Sequence, residues 1–163
     1  MLFDEKGLIT PANEVAMTLA EFEERFVKAF PSTSTRHTIF SSYLHFVDRF
    51  RTEIDSSFTH WLNGSFVTNK TDPNDLDLVT FIDDAIYADK QLLIDGVFRL
   101  SGARQHFPGI DAYTVRRYPD SNQVGCSVAY LDTAYWRDLF TQTRPNRFGK
   151  RYRKGFVEIV YNG

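Results

Sequence analysis

Cysteine is almost missing from this 163-residue chain: Cys126 stands alone. A lone cysteine excludes an intramolecular disulfide framework and a zinc site built from thiolates, and it fits a reducing compartment. Net charge is equally scarce. Nineteen Lys and Arg stand against 21 Asp and Glu, a formal charge of −2, which excludes a uniformly basic nucleic-acid binder but not a local basic patch. No apolar run approaches the roughly 18 residues that cross a bilayer. The start, Met1-Leu2-Phe3-Asp4-Glu5-Lys6, lacks the basic-then-apolar layout of a signal peptide. Internal repeats, linkers and low-complexity tracts are missing too. These absences predict one soluble, cytoplasmic domain over residues 1–163 with no membrane partner, long enough for one sizeable core. What the chain does have is rings: 15 Phe, 8 Tyr and 2 Trp predict an aromatic core.

Several catalytic patterns are absent as well. The four histidines, His37, His45, His60 and His106, are scattered, with no i, i+4 pair and glutamate of a zinc hydrolase, and read as structural or surface residues. Ser65 is not enclosed in Gly-x-Ser-x-Gly. Neither a Walker loop nor a Rossmann glycine pattern occurs. Cys126, in Val124-Gly125-Cys126-Ser127-Val128, reads as a small buried residue rather than a nucleophile.

The chain divides into a helical part, residues 1–56, and a core, residues 57–163. The first 17 residues read as an extended arm. Thr18-Leu19-Ala20-Glu21 has capping-box spacing, and Leu19, Phe22, Phe26 and Phe30 form one apolar helical face that Pro31 stops. A second helix is predicted from Ser34 or Thr35, with Ile39, Tyr43, Phe46, Val47, Phe50 and Ile54 as its buried stripe. Leu76 to Ile82 reads as a central strand. Asp83-Asp84 opens a helix whose expected buried face is Ala85, Ile86, Leu92, Leu93, Val97 and Leu100. Ile110 to Tyr118 is a strand, Ser121 to Thr143 a helix, and Gly155 to Tyr161 a last strand. The order predicts an α+β fold, a small mixed sheet backed by helices with an N-terminal helical pair.

The informative stretch is Gly64-Ser65 followed, after nine residues, by Asp75-Leu76-Asp77. Two apart on a predicted strand, Asp75 and Asp77 point to one face while Leu76 and Leu78 point to the other. Adjacent carboxylates repel unless a cation or a proton lies between them. Mg²⁺ takes oxygen ligands and commonly uses one or two carboxylates plus substrate phosphates. A third carboxylate on a neighbouring strand would complete a two-metal site for in-line phosphoryl displacement. Asp111, between Ile110 and Ala112, is the candidate, with Glu158 as the alternative. Gly64 lets backbone approach a phosphate, and Ser65 adds a hydroxyl and an amide donor. Asp-x-Asp alone is common in turns and solvated strand ends; inside an apolar strand, paired charges need compensation.

Gly64-Ser65, nine spacers, Asp75-Leu76-Asp77-Leu78 and Ile110-Asp111-Ala112 resemble the signature of the DNA polymerase β-like nucleotidyltransferase superfamily. Trp61 to Val67 together with Pro73 to Val79 is similar to a bacterial family of small nucleotidyltransferase-like proteins of the minimal type. Asn63 stands where the superfamily usually has an apolar residue. The resemblance implies the polymerase β-like fold, with Gly64 and Ser65 holding the phosphates of a nucleoside triphosphate. It also implies that Asp75, Asp77 and Asp111 bind two Mg²⁺ ions (or Mn²⁺), Asp111 also activating the attacking hydroxyl. The implied activity is transfer of a nucleoside monophosphate, AMP from ATP, to a protein or to tRNA or other RNA. A toxin–antitoxin or phage-defence setting with a neighbour-encoded protein partner is implied too. The alternative is an inactive, protein-binding module on the same fold.

Two basic features accompany the motif. Lys70, in the loop before Asp75, is in a position to reach a phosphate, although an exposed lysine is the plainer reading. Arg144, Arg147, Lys150, Arg151, Arg153 and Lys154 place six bases in 11 residues with no acid among them. That run reads either as a triphosphate or RNA contact or as a solvated loop. Of Arg116 and Arg117, one is expected to point toward the site's face of the strand and the other away.

Overall fold

In the computed structural model, which describes residues 2–163, five strands form one mixed sheet. They are β1 (Glu14–Ala16), β2 (Phe58–Asn63), β3 (Leu76–Asp83), β4 (Ile110–Arg117) and β5 (Phe156–Tyr161), in the spatial order β1-β5-β2-β3-β4. Both outer pairings, β1 with β5 and β3 with β4, are parallel; β2 runs antiparallel to β5 and β3. The α+β expectation holds at this level. The arm is the first correction: Glu14–Ala16 extends the sheet as an edge strand, and Leu8 and Ile9 ahead of it are buried.

The helices are α1 (Leu19–Glu23), α2 (Arg36–Glu53), α3 (Asp84–Leu93), α4 (Leu100–His106) and α5 (Gln123–Phe140). Thr18 and Glu21 close the expected capping box on α1, which continues through a π-helical turn, Glu24–Lys28. The whole predicted stripe of α2 is buried. The face expected of the next helix is displaced by one residue. Tyr87, Ile94 and Phe98 are the buried positions, while Ala85, Leu92 and Leu100 are exposed. A π-helical turn at Ile94–Phe98 interrupts the helix, and α4 restarts at Leu100 with φ 51°, so no single straight stripe spans the segment.

Alternation along the strands separates two cores. Leu62, Leu76, Leu78, Ile110, Val157 and Ile159 face α1, α2 and α4. There the predicted aromatic core forms: Phe46 meets Phe107 at 4.9 Å and Phe98 at 5.3 Å, and Phe22 stacks on Phe66 at 5.7 Å. On the opposite face Trp61, Val79, Phe81, Val115 and Phe156 pack against Phe140 and Trp136 of α5. Gly125 lets α5 lie against Tyr118, since a Cβ there would fall 2.4 Å from the ring.

His60, on β2, is fully buried beneath α2. Its Nδ1 is 2.9 Å from the Tyr43 hydroxyl, which is 2.9 Å from the Tyr161 hydroxyl. Burial lowers the imidazole from 6.5 to about 3. Because the unfolded chain binds that proton near pH 6.5 and the folded one does not, stability falls as pH drops from 6.5 toward 3. Between pH 7 and pH 5 this contributes a loss of about 2 kcal/mol. In His60→Phe that share of the acid slope disappears, as urea unfolding at the two pH values will report; an unchanged slope would contradict a neutral buried imidazole.

Candidate active site

One end of the sheet gathers the polar residues. Asn63 closes β2, Asp77 is the second residue of β3, and Asp111 is the second residue of β4; the three are register partners in a row. Partnered residues share a face and sit about 4.8 Å apart across the sheet. Asp75 stands one residue ahead of β3 rather than on it. Gly64 follows β2 with φ 84°, a conformation glycine adopts without strain. A Cβ there would fall 2.7 Å from Asp77 Oδ2, so backbone and carboxylate are in contact only because residue 64 has no side chain. Ser65 then opens a short 3₁₀ turn, Ser65–Val67, closed by Thr68 Oγ1 donating to the Ser65 carbonyl at 2.7 Å.

A cleft of about 540 Å³ opens over this end of the sheet. Asn63, Gly64, Ser65, Lys70, Asp75 and Asp77 form one wall. Arg144, Arg151 and Lys154 form the basic wall, and Tyr113, Tyr135 and Trp136 the aromatic one. Tyr113 and Trp136 pack at 4.5 Å between ring centroids.

Electrostatics in the cleft are unbalanced. Burial, then the charges of Asp75 and Asp111, push the Asp77 carboxyl up to about 6. Lys154 is buried and donates to Asn63 Oδ1. Burial brings its ammonium down to about 8, while Asp77 pulls the other way. Asp111 shares the face of Asp77 but is not part of the cleft lining, and Arg104 Nε donates to its Oδ1. Among the described residues, no three His, Cys, Asp or Glu side chains are grouped to hold a metal ion. The carboxylates thus share one end of the sheet without forming a closed ligand set.

A family described as a "Family of unknown function (DUF6932)" matches residues 1–160. The chain belongs to DUF6932. No curated protein and no solved structure gives a match.

In this DUF6932 member the remaining candidates fall elsewhere. Glu158 sits opposite Trp61 in the register and accepts from Trp61 Nε1 at 2.8 Å, outside the cleft. As expected, the pair splits between the two faces: Arg117 is on the face of β4 that carries Asp111, and Arg116 is on the other. They lie at the far end of β4, roughly 20 Å along the strand from Asp111; Arg116 donates to Asp84 at 3.3 Å, and Arg117 lies over the Phe81 ring. Cys126 is half-buried, its thiol 3.4 Å from the Pro119 carbonyl. Two residues of the site escaped the reading of the sequence as participants. Asn63 looked like a departure from a motif, and Lys154 was one base in a run. Reading Thr59, Trp61 and Asn63 as alternate residues of one strand would have set Asn63 beside Asp77.

Proposed function

We propose that the protein is a Mg²⁺-dependent nucleotidyltransferase of the DNA polymerase β-like fold. It would transfer a nucleoside monophosphate, AMP from ATP in the leading case, to a hydroxyl of a protein or RNA acceptor. The observation that carries this reading is the row Asn63–Asp77–Asp111 beside Gly64, with a half-buried Asp77 carboxyl raised to about 6 by burial and then by the charges of Asp75 and Asp111. Such a carboxyl is poised for a cation. The available donors are all oxygens, which fits Mg²⁺ or Mn²⁺. Asp75 and Asp77 would hold the metal, and Asp111 would join them on leaving Arg104, two ions completing the set. Bound there, the metal would neutralise charge on the phosphoryl oxygens.

The chain's own residues supply the rest. Gly64 and Ser65 present backbone amides and a hydroxyl to the triphosphate, while Lys154 and Arg144 neutralise its charge. The faces of Tyr113 and Trp136 are suited to stack a base. The acceptor oxygen attacks the α-phosphorus in line, and the bond to pyrophosphate breaks as the new O–P bond forms. A carboxylate oxygen of Asp111 takes the hydroxyl proton. Positioning and charge neutralisation lower the barrier, without a covalent enzyme intermediate. A toxin–antitoxin or phage-defence context, with a neighbour-encoded protein partner, belongs to this proposal.

Arg104's hold on Asp111 favours a second reading, a protein-binding module that keeps the fold without the chemistry. Incubation with α-labelled nucleoside triphosphates, Mg²⁺ or Mn²⁺, total RNA and cell lysate separates the two. Label on a macromolecule, lost in Asp75→Asn while the fold persists, supports transfer. Full labelling by Asp75→Asn, or no label and no pyrophosphate from any triphosphate, rejects it.

A further inference from the structure

The basic run is a built element of the molecule. Between α5 and β5 the chain doubles back as a hairpin: Gln142 pairs with Arg153, Thr143 N donates to the Tyr152 carbonyl at 2.9 Å, and Lys154 N donates to the Thr141 carbonyl at 3.0 Å. Its tip is pinned by Asn146. The Asn146 Oδ1 accepts from Phe148 N at 2.9 Å and from Lys150 N at 3.0 Å, and Gly149 turns the chain with φ 76°. Arg144, Arg147, Lys150, Arg151 and Arg153 are all exposed. Among the described residues none of these five forms an ion pair. Phe148 projects from the tip, 78% exposed, with the Arg147 guanidinium 4.7 Å from its ring centroid. Lys150 lies over the Tyr152 ring at 5.0 Å.

Five exposed cations around the exposed Phe148 ring, in a chain of net charge −2, form a surface that suits a single-stranded nucleic acid: the cations contact phosphates and the ring takes a base by stacking. The inner bases, Arg144 and Arg151, line the cleft, so the hairpin and the cleft are continuous. We propose that this hairpin is the docking arm for a single-stranded polynucleotide, whose terminal hydroxyl it delivers to the cleft as acceptor. The delivery step rests on the nucleotidyltransfer reading; the docking does not. An anionic membrane is the competing ligand of a basic hairpin, but the tip offers one apolar side chain, and the inner bases face the cleft rather than a plane.

Fluorescence anisotropy of the full chain with a labelled 12-nucleotide single-stranded RNA, its DNA counterpart, and phosphatidylserine vesicles as competitor tests the assignment between 50 and 200 mM KCl. Binding is expected with log K falling by about 0.7 per log unit of salt for each phosphate engaged. The double change Arg147→Ala and Lys150→Ala should reduce that slope by about 1.4. Phe148→Ala should weaken binding about tenfold and leave the slope unchanged. That contrast separates stacking from charge. Neither strand binding, or binding untouched by the three substitutions, or displacement of the strand by vesicles, overturns the proposal. Strand binding without nucleotide addition to the strand would refute the delivery step and leave the docking arm standing. Labelling of a protein that is indifferent to the hairpin substitutions would refute delivery of the acceptor by the hairpin and leave transfer standing.

Discussion

Asp77→Asn should melt at a higher temperature than the wild-type protein and transfer no nucleotide. Both effects come from the same carboxylate. At neutral pH Asp77 is ionised beside Asp75 and Asp111 in a half-buried position, and its carboxyl has risen to about 6 from 3.8. A carboxyl raised by folding is destabilising once it ionises. The loss begins near pH 4 and is complete above pH 6, because the folded state holds its proton longer than the unfolded chain does. An amide of the same shape carries no charge to repel. Part of the gain is offset, since Lys154 loses the negative charge that favours its ammonium form. The net stabilisation at pH 7 is about 2 kcal/mol, which for a chain of this length raises Tm by about 4–8 °C. At pH 4 the gain should vanish. On the proposed reading transfer should fall at least about 10³-fold, since phosphoryl charge stabilisation by a metal held at Asp77 would be worth several kcal/mol. A variant that is destabilised at pH 7, or stabilised equally at pH 4, would contradict the crowding of these carboxylates; one that keeps full transfer would remove Asp77 from the site.

The conflict at Asp77 was partly legible in the sequence. Asp75-Leu76-Asp77 inside an apolar strand already signals a local conflict, because each level of patterning otherwise agrees with a packed sheet. Local signals were also enough for the capping box at Thr18 and for the stripe of α2, where spacing alone sets the buried face. Contacts between distant segments left no such trace. The three residues Glu14–Ala16 pair with Phe156–Glu158, and a three-residue edge strand is too short to display a period. Lys154 reaches Asn63 across 91 positions, so neither residue announces the other. On α3 the periodicity was present but misleading, because the π turn at Ile94–Phe98 changed its phase. Asp111 shows the same limit at the site. Strand alternation places it beside Asp77, yet nothing local tells that Arg104 of α4 binds its carboxylate.

Arg36 is the extreme case, and the second large effect lies there. Nothing in its neighbourhood marks it as anything but the first residue of α2, yet it is fully buried, and among the described residues its guanidinium forms no ion pair. Its five side-chain hydrogen bonds all go to backbone carbonyls. Nη1 donates to Phe26 at 2.8 Å and Phe66 at 2.6 Å, Nη2 to Thr68 at 2.8 Å and Lys70 at 2.5 Å, and Nε to Lys70 at 3.0 Å. The ring of Phe30 lies 3.8 Å from the guanidinium carbon. Burial lowers the group to about 10, with Asp72 opposing, so it stays charged at neutral pH. Beside it Ser34 Oγ donates to the Thr71 carbonyl and Thr35 Oγ1 to the Pro73 carbonyl. The start of α2 therefore holds, carbonyl by carbonyl, the loop that connects Gly64-Ser65 to Asp75. Arg36→Met fills the volume but leaves four carbonyls without their donors, each deprived at a cost of about 1–3 kcal/mol before relaxation. With water reaching the freed loop, the net loss should be about 3–5 kcal/mol. Arg36→Lys keeps the charge but cannot span four acceptors with a planar fork, and should recover less than half of that. Urea unfolding measures the energies, and trypsin measures the loop. Lys70 is exposed but its carbonyl is pinned, so cleavage after Lys70 should be slow in the wild type and faster by more than tenfold in Arg36→Met under native conditions. Unfolding energies within 1 kcal/mol of wild type, with no faster cleavage, would show that the loop is held by its own turns rather than by Arg36.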